Sequence, residues 1–109
     1  MSIQVDYEEG RARVTLSGEL TIYTAAEIKA ALATTMADSS ELEVDLAGIT
    51  EIDTAGLQLM LIAKRNPGKN VRFVNHPEPV LRLVDLANLG GALGDPLFIS
   101  ALESQGSPA

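Results

Sequence analysis

A chain of 109 residues, 46% hydrophobic and 21% charged, has the size and composition of one globular domain with a single core. Its net charge of −7 argues against a broad surface for a phosphate backbone, so no direct nucleic-acid contact is expected. The absence of cysteine removes disulfides, thiolate nucleophiles and the common structural zinc sites.

The opening stretch, MSIQVDYEEG, lacks the basic start and apolar segment of a signal peptide, and the longest unbroken apolar run, residues 59–63, is too short to span a bilayer. A cytoplasmic protein without membrane insertion is expected. Ile3, Val5 and Tyr7 alternate with polar neighbours, as do Ala12, Val14 and Leu16; with a tight turn at Glu9-Gly10-Arg11 they predict a β-hairpin. Thr24-Ala25-Ala26-Glu27 has the form of a capping box, with Tyr23 and Ile28 placed for a hydrophobic staple. Ala25, Ile28, Leu32 and Met36 then recur at helical spacing, and this first helix ends near Asp38-Ser39-Ser40.

Leu42, Val44 and Leu46 predict a strand that turns at Ala47-Gly48. A second helix runs over residues 54–65 and stops at Asn66-Pro67-Gly68. Residues 70–75, NVRFVN, read as a strand, and a third helix begins around Pro79 and carries Val80, Leu83, Val84 and Ala87. Residues 97–100, LFIS, read as a short last strand, and residues 104–109 as a disordered tail beyond a domain of residues 1–103. The order β-β-α-β-α-β-α, with a final β, predicts a single-domain α/β sandwich. Its sheet is mixed but mostly parallel, of four to five strands, with helices packed against it. Residues 18–23 and 50–54 both leave carboxyl ends of parallel strands, so they share the rim where open α/β sheets keep ligand or partner sites.

Catalytic constellations are mostly absent. His76 is the only histidine, and its Asn-His-Pro setting reads as a solvated loop residue rather than a general base. No serine has a nucleophile-elbow setting. The glycines of residues 90–95 follow a helix and read as its C-cap and loop, not as a phosphate cradle. Glu8-Glu9 and the Glu51/Asp53 pair read as solvated surface. What remains is Asp53-Thr54-Ala55-Gly56. Asp and Thr are both favoured helix caps, worth about 1 kcal/mol, and capping alone accounts for either. Two details go further. Gly56 in a first helical turn costs roughly 0.5–1 kcal/mol against Ala, and with Ala55 it leaves the Thr54 hydroxyl unshielded. On the helical projection Leu57, Leu59, Met60, Leu61 and Ala63 form one apolar arc, while Gln58, Ile62 and Arg65 fall opposite.

The stretches SGELTIYTAAEIKAAL (residues 17–32), LEVDLAGITEIDTAGLQLMLIAKR (42–65) and VRFVNHPEPVLRLVDLANL (71–89) resemble the STAS domain of bacterial anti-sigma-factor antagonists. The most specific matches are Gly18-Glu19-Leu20, Asp45-Leu46 and Asp53-Thr54-x-Gly56-Leu57. The resemblance covers roughly residues 3–100 and implies a regulatory module rather than an enzyme, with no cofactor and no metal. In that family a partner that is both a serine/threonine kinase and an anti-sigma factor phosphorylates the hydroxyl residue after the Asp. Unmodified antagonist binds the partner and frees the sigma factor; the phosphorylated form lets go. The matching residue is Thr54, and the implied partner surface comprises Glu19, Thr21, Tyr23, Asp53, Ala55, Gly56, Gln58 and Ile62. Thr21 stands where the family often has Asp, Thr54 replaces the more frequent Ser, and Ala55 replaces a common second Ser. These departures leave two other settings open, both with a regulatory ATPase or signalling partner. One is an adaptor in a chemosensory gene cluster; the other is a constitutive cytoplasmic subunit bound to the ATPase of a lipid-transport ABC complex.

Overall fold

The computed structural model describes residues 1–87. Along the chain run β1 (Ser2–Glu8), β2 (Arg11–Leu20), α1 (Ala25–Ala37), β3 (Glu41–Ile52), α2 (Thr54–Lys64), β4 (Asn70–Val74) and α3 (Glu78–Leu86). The expected strand at residues 97–100 and tail at 104–109 lie outside the described residues.

The four strands form one sheet in the order β1-β2-β3-β4, with β1 antiparallel to β2 and the other pairs parallel. The hairpin forms because Gly10 takes a left-handed φ of 68°, which lets two residues reverse the chain and set Glu8 opposite Arg11. Each parallel pair needs a crossover, and α1 and α2 supply them. Period-2 alternation then sorts the side chains. Val14, Leu16, Val44, Leu46 and Phe73 are buried on one face, against Ile28 and Leu32 of α1, Leu57 and Met60 of α2, and Val80 and Val84 of α3.

The other face carries charge, and the strand register orders it. Asp6, Arg13, Glu43 and Arg72 stand opposite one another across all four strands, alternating in sign. Arg13 meets Glu43 at 2.6 Å and Asp45 at 2.7 Å, and Arg72 lies 3.7 Å from Glu43. Exposed pairs of this kind contribute little each, about 0–1 kcal/mol. Register is set by the buried face, because a one-residue slip would turn its apolar side chains to solvent. Asp45 is the best held. Burial alone would raise its carboxyl, but the Ala47 N–H, Arg13 and the Asn75 side chain together hold it below the ordinary carboxylate range.

Three sequence expectations change here. The chain does not turn at Ala47-Gly48: β3 continues to Ile52. Against β2 the register slips between Thr15 and Ser17 and again between Gly18 and Glu19, so β3 carries an extra residue at each place. Gly48 sits at the first bulge, where a Cβ would lie 2.5 Å from Ser17 Oγ and 2.9 Å from Leu16 O; the glycine reports close strand approach, not a turn. His76 is not solvated but buried, at 6% exposure, and follows Asn75, which adopts a left-handed φ of 57°. Ala87 lies beyond the end of α3 and is exposed, whereas Leu81 joins the buried set.

Gly48→Ala should therefore destabilise the domain by roughly 1–3 kcal/mol, the cost of overpacking. Urea denaturation followed by circular dichroism measures this, and an unchanged midpoint would remove the close-approach account.

Candidate functional site

Strand register places the rim. Leu20 at the end of β2 pairs with Ile52 at the end of β3, so residues 21–24 and the start of α2 emerge side by side. Asp53 joins them. Its backbone is extended, and its Oδ1 accepts from the Gly56 N–H at 3.0 Å, capping α2. Its Oδ2 accepts from the Ile22 N–H at 3.0 Å, tying down the loop between β2 and α1. Burial would raise this carboxyl; the N–H groups of Ile22, Gly56 and Ala55 outweigh that and hold it below the ordinary carboxylate range.

Asp53 is therefore the cap, and Thr54 is the first residue of the helix proper. Thr54 is exposed, and no hydrogen bond among the described residues engages its hydroxyl. The surface around it carries Glu19, Ile22, Tyr23, Gln58 and Ile62, with Tyr23 90% and Ile62 52% exposed. Ile62 also lines a groove of about 400 Å³ between α1 and α2, floored by Leu32, Met36 and Leu59 and flanked by Lys29 and Arg65.

Not all the expected contact residues reach this surface. Thr21 is 3% exposed, and its hydroxyl accepts from the Tyr23 N–H at 3.3 Å, so it shapes the loop from inside. Gly56 is buried too: a Cβ there would lie 2.1 Å from Leu20 O. Its size seats the first turn of α2 on the end of β2; it does not clear a path to Thr54. Ala55 is half-buried.

The capping box at Thr24 does not form. The Thr24 hydroxyl donates to Glu19 O at 2.7 Å and accepts from the Thr21 N–H at 3.1 Å, so it locks the loop rather than α1. Tyr23, turned outward, makes no staple with Ile28. Ile22, 68% exposed, lies in the rim loop expected from strand order, residues 18–23, without being singled out as a contact residue. Strand alternation after Leu20 would send it inward, but the turn that buries Thr21 reverses that parity. Its signal in the sequence was the adjacent pair of large apolar residues, Ile22-Tyr23, in a connection between elements. Among the described residues no group of three His, Cys, Asp or Glu could hold a metal ion, and no described helix is long and apolar enough to cross a membrane.

Asp53→Ala should lose the cap and the loop tie, roughly 1–2 kcal/mol at neutral pH. The sign of the pH effect follows from a lowered folded-state value. The contribution of Asp53 is complete above the unfolded carboxylate value and is lost as pH falls through the folded one. Chemical denaturation at successive pH values below about 5 should show a shallower decline for Asp53→Ala than for wild type. Parallel declines would contradict the role given to the two hydrogen bonds.

The family model described as "Mlab, STAS domain" matches residues 3–99. No curated protein sequence matches the chain significantly. Among solved structures, an anti-sigma factor antagonist from Mycobacterium paratuberculosis superposes with a TM-score of 0.75 at 22% identity, over 94% of this chain and 92% of that one. The unphosphorylated form of the anti-sigma factor antagonist SpoIIAA gives 0.68 at 16% identity, over 94% and 95% of the two chains. The phosphorylated form of SpoIIAA, a Bacillus cell-fate determinant, gives 0.65 at 16% identity, over 94% and 98%. At these identities the superpositions establish a shared fold, and the family match extends over nearly the whole chain. The rim built by Asp53 between two strand ends thus belongs to a member of the STAS domain family.

Proposed function

We propose that this STAS domain is a regulatory protein-binding module of the anti-sigma-factor-antagonist kind, docking through the rim and switched by phosphorylation of Thr54. The observation that carries this reading is the division of labour at the start of α2. Asp53 does the capping, which leaves the Thr54 hydroxyl exposed and without a structural task. The surrounding Ile22, Tyr23 and Ile62 form an apolar exposed surface of the sort that partners cover. SpoIIAA, which shares the fold, has been solved in both phosphorylated and unphosphorylated forms.

A partner serine/threonine kinase would transfer the terminal phosphoryl of ATP to Thr54 Oγ1, releasing ADP and the hydroxyl proton. The phosphate brings a charge of about −1.5 to −2. Helix N-termini commonly stabilise such a group through their N–H donors. Here Asp53 already occupies those of Gly56 and Ala55, and Glu19 and Glu51 lie on the same rim. The added charge is left without local compensation. Its effect falls on the interface, where burying an unpaired dianion is costly, and not on the fold.

A second reading takes the Mlab description of the family as its support. On it the domain is a constitutive cytoplasmic subunit seated by the same rim on the ATPase of a lipid-transport ABC complex, with no switch at Thr54.

Baits carrying wild type, Thr54→Ala and Thr54→Glu, used in the native organism, separate the two. The switch predicts a partner held by wild type and Thr54→Ala but lost with Thr54→Glu, together with a phosphopeptide at Thr54 from the wild-type protein. All three should give the same circular dichroism spectrum. A partner retained equally by all three baits, with no phosphopeptide, would defeat the switch and leave the constitutive subunit.

A further inference from the structure

The rim leaves a second exposed apolar surface without a role, on β1. This strand is the edge of the sheet, and among the described residues only β2 pairs with it. Half of its backbone N–H and C=O groups therefore face outward. Ile3, Val5 and Tyr7 stand opposite Leu16, Val14 and Ala12 and so share the core face. Yet the helices do not cover them fully: Val5 is 37% and Tyr7 54% exposed. Edges are commonly blunted by proline, charged side chains, above all lysine, or a bulge. Residues 2–8 contain no proline or lysine, their two carboxylates, Asp6 and Glu8, stand opposite Arg13 and Arg11 on the face away from Val5, and their register with β2 is continuous.

We propose that a second copy of this chain pairs with β1 along this edge, antiparallel, joining two four-stranded sheets into one of eight strands. The strand is self-complementary in one register. With the two-fold axis at Val5, that residue faces Val5 of the second copy, Ile3 faces Tyr7, Gln4 faces Asp6 and Ser2 faces Glu8. All seven residues pair, the apolar side chains of both copies meet on one face, and no carboxylate opposes another. The neighbouring even registers are poorer: one sets Asp6 against itself, and the other leaves Glu8 unpaired. An isologous contact of this kind closes at two copies.

The axis lies normal to the sheet, so both sets of helices stay on one side and the two rims point to opposite ends. Pairing leaves Thr54 accessible in each copy, and the proposal stands or falls independently of phosphorylation. Each copy carries −7, so mutual repulsion weakens the pair at low salt and screening strengthens it.

The cysteine-free sequence offers a direct test. Directly opposed residues in an antiparallel pair have Cα atoms about 4.5–5.5 Å apart, within the range of about 4.4–6.8 Å that a disulfide spans. Only position 5 faces itself; positions 3 and 7 each lie four residues, about 13 Å, from their own counterparts. Under mild oxidation Val5→Cys should form a disulfide-linked dimer at least roughly tenfold faster than Ile3→Cys or Tyr7→Cys. Sedimentation velocity of the wild-type protein should show a dimer that grows with concentration and with added sodium chloride, and Val5→Lys should remain monomeric. A monomer at every concentration, a dimer dispersed by salt, a Val5→Lys protein that still dimerises, or equal cross-linking at positions 3, 5 and 7 would overturn the proposal. If Val5→Lys fails to fold by circular dichroism, the selectivity among the three cysteine variants decides.

Discussion

The two oxygens of Asp53 hold the rim of the molecule together. One closes the first turn of α2 through the Gly56 N–H, and the other reaches across to the Ile22 N–H on a different connection. Neither bond can form unless the ends of β2 and β3 arrive in step, which the bulges of β3 ensure by bringing Ile52 opposite Leu20. Nor can α2 begin where it does unless its third residue lacks a side chain, since Leu20 O fills the space a Cβ would take. A single carboxylate thus couples helix start, loop position and strand register. Because this work falls to Asp53, the hydroxyl beside it has no part in holding the fold.

The rest of the chain is divided between a greasy face and a charged one. The greasy face holds the helices and supplies the stability, at about 25 cal/mol per Å² of apolar surface removed from water. The charged face pairs Arg11, Arg13 and Arg72 with Glu41, Glu43 and Asp45 across the strands. Of eight cationic side chains in the molecule, three are committed to these rows. That commitment helps explain how a strongly acidic protein can present a rim with few compensating positive charges.

Much of this was legible from residue pattern alone. The element order, the hairpin at Gly10 and the buried arc of α2 all follow from short-range periodicity, which depends only on neighbours in sequence. Two of the failures involved a contact with something distant along the chain, and the others a local arrangement that periodicity does not weigh. Gly48 looks like a turn until Ser17 is set against it, and Gly56 looks like an access point until Leu20 is. The Thr24 hydroxyl had a local partner on paper and a better one at Glu19 O. His76 reads as loop and is buried. Asp53 and Thr54 were both plausible caps, and only the Ile22 N–H, thirty-one residues away, shows why Asp53 is the one retained.

The placement of the aromatic residues has an optical consequence. The sequence has no tryptophan and two tyrosines. Tyr23 projects from the rim and Tyr7 from the outer strand, each largely in solvent. The near-ultraviolet emission of the native protein therefore comes from its two surfaces and hardly at all from its interior. Quenching of one phenol or the other would distinguish occupation of the rim from occupation of the sheet edge without any label being attached.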